Sequence, residues 1–139
     1  MSTAQHPSMP NLEDTGAFLS AAGLRYTHVG ADRVEGVIDL GPEHHTPWGV
    51  VHGGVYTAAV ESAASVGASA AVADQGGVAL GVHNSTDFLR SMTTGRVHVT
   101  ALPVQQGRTQ QLWDVHITDD DGRLVARGAL RLHNRLPRG

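Results

Sequence analysis

WGVVHGGVYTAAVESAASVGASAAVA, residues 48–73, reads as a loop, a glycine pair and a long helix. Val51, His52, Gly53 and Gly54 form the mouth of that helix. Val55, Ala59, Ala63 and Val66 recur at helical spacing, while Ala58, Val60, Ala64 and Ala68 fill the other faces. A helix apolar all round is expected to be buried. A run of about 20 residues can in principle span a bilayer, but Glu61 and several Ser and Gly favour a core helix in a soluble domain. Most of its side chains are small, so a sheet and a partner helix can approach closely. Glu61 stands apart. It is the only acidic residue between Glu43 and Asp74, and no Arg or Lys occurs from Val34 to Leu89. A carboxylate in that setting is costly to bury without partners or a chemical role. The rest of the chain is expected to form the sheet that wraps this helix.

A chain of 139 residues is one domain of ordinary size, and a hydrophobic content of 40% is enough for its core. The net charge of −3 gives no ground for a nucleic-acid partner or an acidic membrane surface. All ten basic residues are Arg, which excludes a Schiff-base lysine and a standard P-loop. The absence of Cys excludes disulfides, thiol nucleophiles and zinc–thiolate sites. The N-terminus lacks the basic region and apolar run of a signal peptide, so the expected location is the cytoplasm.

Residues 1–10 are polar, hold two prolines and show no period, which predicts a flexible arm ahead of a single domain over residues 11–139. Asn11 to Ala22 predicts a short helix pinned by Phe18 and Leu19, although Gly16 weakens it. Leu24 to Val29 and Arg33 to Leu40 alternate as two antiparallel strands joined by Gly30, Ala31 and Asp32. Four more strands are expected at Val78 to Phe88, Gly95 to Gln106, Thr109 to Thr118 and Leu124 to His133. The three acids of Asp119-Asp120-Asp121-Gly122 fit hairpin-turn chemistry better than a calcium site. This order gives an α+β fold with one long helix against an antiparallel sheet.

Together, the glycine pair, the helix with a single Glu and the strands that follow resemble the hotdog-fold acyl-CoA thioesterases. The branch concerned holds the Arthrobacter-type 4-hydroxybenzoyl-CoA thioesterase, the phenylacetate-pathway (PaaI-like) thioesterases, and the 1,4-dihydroxy-2-naphthoyl-CoA and enterobactin-proofreading thioesterases. That family carries a motif of the form GxxHGGxxxxxxE with Ser or Thr one turn further on. Gly49, His52, Gly53, Gly54, Glu61 and Ser65 match it. NSTDFLRS (Asn84 to Ser91), GRTQQLWDV and DDGRLVARG match the family downstream, so the resemblance spans about Leu24 to His133. It implies a hotdog fold, with one long central helix wrapped by an antiparallel sheet of five to six strands. It also implies an acyl-CoA substrate and no separate cofactor. His44, His45 and His52 suggest zinc, but no acidic ligand stands at suitable spacing, so no metal is expected, and the charge gives no ground for a membrane partner. The expected assembly is a homodimer with shared active sites, pairing further as a dimer of dimers. One departure stands out. Where the family often places Gln or Asn before the glycine pair, to polarise the thioester carbonyl, this chain has Thr46 after His44 and His45. Either Thr46 or His45 takes over that role, or the role is absent.

The residues support a site of this kind. Gly53 and Gly54 open a helix, so their N–H groups lack partners within it and sit at the positive end of its dipole. The Gly53 N–H is the candidate oxyanion donor, and glycine lets a substrate approach the backbone. The alternative is a tight turn and nothing more. Glu61 lies eight residues on, about 12 Å along the axis, too far for one carbonyl carbon to touch both groups of one helix. Two antiparallel helices across a two-fold axis solve this by placing Gly53 of one subunit opposite Glu61 of the other. Glu61 then attacks the carbonyl or activates water, or else is a structural Glu of the interface. Ser65, one turn later on the same face, is a candidate to hold the water or the Glu, and His52 to position the carbonyl or the loop. For substrate binding, the candidates are Gly54, then Asn84 and Thr86 as lining of the pantetheine tunnel or the acyl pocket, and Arg90, Arg108 and Thr109 for the nucleotide phosphates or the pantetheine arm, with Arg131 and Arg135 as further candidates. Two rival readings remain: a hotdog hydratase or dehydratase, and a non-catalytic acyl-CoA binding protein.

Overall fold

The structure is a computed structural model that describes residues 9–138. Apart from Met9 and Pro10, the arm expected over residues 1–10 lies outside the described residues. The elements run α1 (Gly16–Ala22), β1 (Arg25–Val29), β2 (Val34–Leu40), α2 (Gly53–Val72), β3 (Val78–Phe88), β4 (Gly95–Gln106), β5 (Gln110–Asp119) and β6 (Leu124–Arg135), with short 3-10 turns at Pro42–His44 and Ala73–Gln75. All six strands join one sheet in the order β1-β2-β4-β5-β6-β3, and every neighbouring pair is antiparallel. One long helix lies across one face of this sheet, the hotdog arrangement that the sequence motifs imply.

The inner face of the sheet supplies the core. Trp113, Val115 and Ile117 of β5, Val97, Val99 and Ala101 of β4, and Leu130 and Leu132 of β6 are all fully or almost fully buried. Alternation at period two puts them on one side, with Asp114 and His116 on the other. Against them α2 presents Ala59, Val60, Ala63, Ala64 and Ala68. Two glycines let the layers meet. A Cβ on Gly67 of α2 would stand 2.4 Å from Cη2 of Trp113 and 2.9 Å from Cγ2 of Val34. A Cβ on Gly128 of β6 would stand 2.9 Å from either methyl of Val60. The layer spacing is therefore set by positions that carry no side chain.

Two expectations are corrected here. The first helix begins at Gly16 rather than Asn11. Asn11 folds its own side chain onto the Glu13 N–H, and Gly16 stands at φ +77°, a left-handed geometry that a helix interior does not accept. Of its two expected anchors only Leu19 faces inward, beside Ala58 and Ala59, whereas Phe18 is 73% exposed. Phe18 points about 100° round the helix axis from Leu19, on the side that no other element covers. The second correction concerns α2. It is buried on one side only, and Gly54, Ala58, Glu61 and Ser65 form a stripe along its open side.

The closest approach generates a stability prediction. In an exposed helix, Gly→Ala stabilises by about 1 kcal/mol. Under the rigid indole of Trp113, overpacking costs about 1–3 kcal/mol and outweighs that gain. Gly67→Ala is expected to lower the thermal midpoint by several degrees, measured by circular dichroism. A midpoint equal to or above that of the parent chain would refute this account of the spacing.

Candidate active site

The mouth of α2 is built by local hydrogen bonds. His44 and His45 lead into a hairpin-like loop in which His45 bridges to Val51 and the Thr46 N–H donates to the Val50 carbonyl at 2.7 Å. The loop docks on the connection after β3: the Val51 N–H donates to the Met92 carbonyl, and His45 Nε2 is paired with the Thr93 carbonyl at 2.7 Å. His44 is buried and paired at both ring nitrogens, with the Gly41 N–H and with the Ala21 carbonyl. The Thr46 hydroxyl oxygen accepts the Trp48 N–H at 3.2 Å. Both candidates for the family's missing amide are thus engaged in shaping the loop. Trp48 stands at its tip, 86% exposed.

His52 is the N-cap of α2. Its Nδ1 accepts the Gly54 N–H at 2.7 Å, and its carbonyl accepts the Val55 N–H. The cap consumes the Gly54 donor, which was an expected substrate contact, and leaves the Gly53 N–H without a partner among the described residues. At the first turn of a 20-residue helix, that N–H carries the positive end of the dipole. Phe88, from the end of β3, covers the side of Gly53. A Cβ built on Gly53 would stand 2.8 Å from two of its ring carbons. Phe88 in turn meets Tyr56 at a ring separation of 6.3 Å with a 43° tilt. The Tyr56 hydroxyl is buried without a partner among the described residues, and burial pushes its pKa up to about 12, so it stays protonated. Neither Phe88 nor Tyr56 was expected at the site. Phe88 lies within the NSTDFLRS segment, but its contact with a glycine some 35 positions earlier depends on the β3 crossover, which no local pattern reports.

Glu61 lies on the open stripe of α2 and is exposed in the single chain, which corrects the expectation that it is buried there. The helix is apolar in composition, but the sheet and α1 leave the side of Glu61 uncovered. The carboxylate leans over β3, where a Cβ on Gly81 would stand 3.5 Å from Oε2. No hydrogen bond or ion pair holds it among the described residues. Ser65 is half-buried on the same stripe. Asn84 and Thr86 have their polar groups committed inside the chain. Asn84 Nδ2 donates to the Thr57 carbonyl of α2 at 3.1 Å, and the Thr86 hydroxyl donates to Asn84 Oδ1 at 2.6 Å. This pair ties β3 to the helix one turn before Glu61. The structure therefore brings Asn84 and Thr86 near Glu61 as a brace.

Arg90 and Arg108 are both exposed, at opposite ends of α2. Arg90 follows Phe88 past the helix mouth, its N–H donating to the Val125 carbonyl. Arg108 and Thr109 sit in the β4–β5 turn, near Ala68 towards the C-terminal end of α2. Arg131 faces away from the core on β6, and Arg135 ends that strand. Asp119 caps its turn by accepting the N–H groups of Asp121 and Arg123, the turn role expected of that acidic run. A small apolar hollow between α1 and α2, lined by Leu19, Leu24, Tyr26, Ile38 and Ala59, opens beside Ser62, the neighbour of Glu61. A wider groove, between the segment from Met9 to Ala21 and β1, holds none of the expected site residues.

The cap makes a specific prediction. His52→Ala is expected to cost about 1 kcal/mol of stability, and His52→Asn, which restores an N-cap acceptor, to recover most of it. Urea denaturation measures both, and an unaffected midpoint in His52→Ala would show that the cap contributes nothing.

Comparison with known proteins places this geometry. The sequence model of the thioesterase superfamily matches residues 49–126, which include the helix mouth, α2 and strands β3, β4 and β5. A candidate esterase of Mycobacterium tuberculosis, Rv1847, is 48% identical over 125 residues, covering 88% of this chain and 89% of that one. Its solved structure superposes with a TM-score of 0.84 over 88% of this chain and 98% of that one. The proofreading thioesterase EntH of Cronobacter turicensis is 29% identical over 113 residues, covering 81% of this chain and 82% of its own. The structure of thioesterase HI1161 from Haemophilus influenzae, 26% identical, superposes with a TM-score of 0.82 over 92% of each chain. With more than half of its residues inside the family match and a relative at this identity, the chain belongs to the thioesterase superfamily.

Proposed function

We propose that this thioester hydrolase cleaves an aryl- or medium-chain acyl-CoA to the free acid and coenzyme A, in a site shared by two copies of the chain. The observation that carries the reading is that two polar groups of α2, the Gly53 N–H at its mouth and the Glu61 carboxylate two turns on, have no partner among the described residues. Around them, the His52 ring, the Gly54 N–H, and the Asn84 and Thr86 side chains are all paired. The Gly53 N–H accepts the charge that develops on the thioester oxygen. Glu61 takes a proton from the attacking water as the C–S bond breaks and the sulfur leaves with the coenzyme, or it attacks the carbonyl carbon itself, expels the coenzyme thiolate and forms a mixed anhydride that water then hydrolyses to the free acid. Phe88 supplies an apolar wall beside the donor.

The separation of the two groups, about 12 Å along one axis, requires a second copy. The open stripe of Gly54, Ala58, Glu61 and Ser65 and the exposed edge strand β3, with Leu80 41% and Val82 57% exposed, supply a surface for it. A two-fold axis near Thr57 sets Gly53 of each subunit against Glu61 of the other. It also brings Arg90 of one subunit and Arg108 of the other to the same end of each site. Both are then placed to meet the nucleotide phosphates of coenzyme A. The small hollow beside Ser62 fits a role as the start of the acyl pocket. A pairing of dimers into a tetramer belongs to the same reading.

A panel of acyl-CoA esters with free-thiol detection tests the activity, and parallel assays of enoyl-CoA hydration test the hydratase alternative. Glu61→Gln is expected to lower kcat about a hundredfold or more on the best ester. Retention of most of the activity would end this mechanism. Arg90→Ala and Arg108→Ala are expected to raise KM for CoA esters and to leave the matching pantetheine thioesters, which lack the nucleotide, almost unchanged. Equal losses on both substrate types would count against nucleotide contact.

Complementation tests the shared site. Glu61→Gln and Gly53→Pro, the latter deleting the donor N–H, are each expected to give a nearly inactive homodimer. A mixed dimer holds one doubly damaged site and one intact site, so activity should return towards half. No recovery, with mixed dimers confirmed by native mass spectrometry and Gly53→Pro shown to fold, would place both groups in one subunit's site.

A further inference from the structure

We infer that Asn134, buried near the end of β6, is a positioning residue for Arg108 and so sets affinity for the nucleotide end of coenzyme A. The inference rests on the reading of Arg108 as a phosphate contact. Three bonds from Asn134 grip three consecutive residues of the β4–β5 turn. Its Nδ2 donates to the Gly107 carbonyl at 3.0 Å and to the Arg108 carbonyl at 3.1 Å, and its backbone N–H donates to the Thr109 carbonyl at 2.8 Å. The turn's own closing bond, from the Gly107 N–H to the Gln110 carbonyl, is also present. Asn134 therefore holds a hairpin that is already closed.

The grip is anchored in the core. Asn134 is 7% exposed, and its Oδ1 accepts from Gln111 Nε2 at 2.8 Å. Gln111, 2% exposed, donates its second Nε2 hydrogen to the Ala68 carbonyl of α2 at 3.0 Å. Its Oε1 accepts from Trp113 Nε1 at 2.8 Å and from Gln106 Nε2 at 3.3 Å. Both hydrogens of each amide are used and both amide oxygens are occupied, which fixes the orientation of the two amides. None of these groups titrates between pH 4 and pH 10, so the link is insensitive to pH in that range.

A buried amide pair is costly to desolvate, and an apolar replacement of similar shape can match its stability. What an apolar replacement cannot do is fix the carbonyls of residues 107 and 108 relative to α2, the helix that carries Glu61. A guanidinium that meets a phosphate held a pantetheine arm away from the thioester needs that fixed reference, because a long Arg on a mobile turn loses affinity through the entropy of ordering it. The signal in the sequence was faint: a lone Asn among alternating apolar residues near the end of the last strand, with no motif around it.

The test uses the full chain and free coenzyme A as the probe, with pantetheine as its control, by isothermal titration calorimetry. Asn134→Ala, Arg108→Ala and the double variant are compared, together with kcat on the best ester. Asn134→Ser, a smaller perturbation that keeps a hydroxyl, replaces Asn134→Ala if the latter does not fold. Each single variant is expected to weaken coenzyme A binding about three- to tenfold, as for loss of one or two modest hydrogen bonds, to weaken pantetheine binding much less, and to raise KM for the ester by a larger factor than it changes kcat. The double variant is expected to bind no more weakly than Arg108→Ala alone. If Arg108→Ala weakens coenzyme A but Asn134 variants do not, or do so additively or equally for pantetheine, Asn134 is structural and the inference falls. If Arg108→Ala itself leaves coenzyme A binding intact, the phosphate-contact reading fails first and takes the inference with it.

Discussion

The close packing of α2 against the sheet is the constraint on which the rest depends. Gly67 lies beneath Trp113 and Gly128 beneath Val60, at distances that leave no room for a Cβ. The helix is thereby held at one height and one rotation. Rotation fixes which stripe stays open, and height fixes where the helix mouth meets the end of β3. A helix free to turn by one residue, about 100°, would carry Glu61 off the open side.

Around this frame the chain satisfies its own polar groups with few exceptions. Buried donors and acceptors need partners, and the histidines of the loop, the Asn84–Thr86 pair and the Gln111–Asn134 network all have them. The N-cap shows the same economy in reverse. By taking the Gly54 N–H, His52 leaves one donor at the strongest point of the helix dipole. Among the described residues the Gly53 N–H and the Glu61 carboxylate have no partner, and in the proposed reading a ligand and a second copy complete their bonding.

Much of the fold was legible in the sequence. The limits of β3 and β4 coincide with the expected Val78 to Phe88 and Gly95 to Gln106, and the inward set Trp113, Val115 and Ile117 follows from period-two alternation. The motif from Gly49 to Ser65 located the helix mouth, and the superfamily match covers the same residues. The failures share a cause. Composition made α2 look buried on all sides, yet a helix is covered only where something lies against it, and the described chain leaves the side of Glu61 uncovered. Phe18 was assigned a contact on hydrophobicity alone, and its neighbour Leu19 holds that place instead.

The sequence by itself determined the elements, their order and the residue types available for chemistry. Periodicity, glycine pairs and the absence of Lys and Cys act through neighbours along the chain, and these are readable in one dimension. Only the tertiary structure decided that Phe88 covers Gly53, that Asn84, held by Thr86, donates to α2, and that Asn134 grips the turn of Arg108. Each is a contact between segments separated by a strand crossover or a loop. Side-chain hydrogen bonds are satisfied by whichever partner the packing brings near, and that partner is chosen by the whole sheet, not by local spacing.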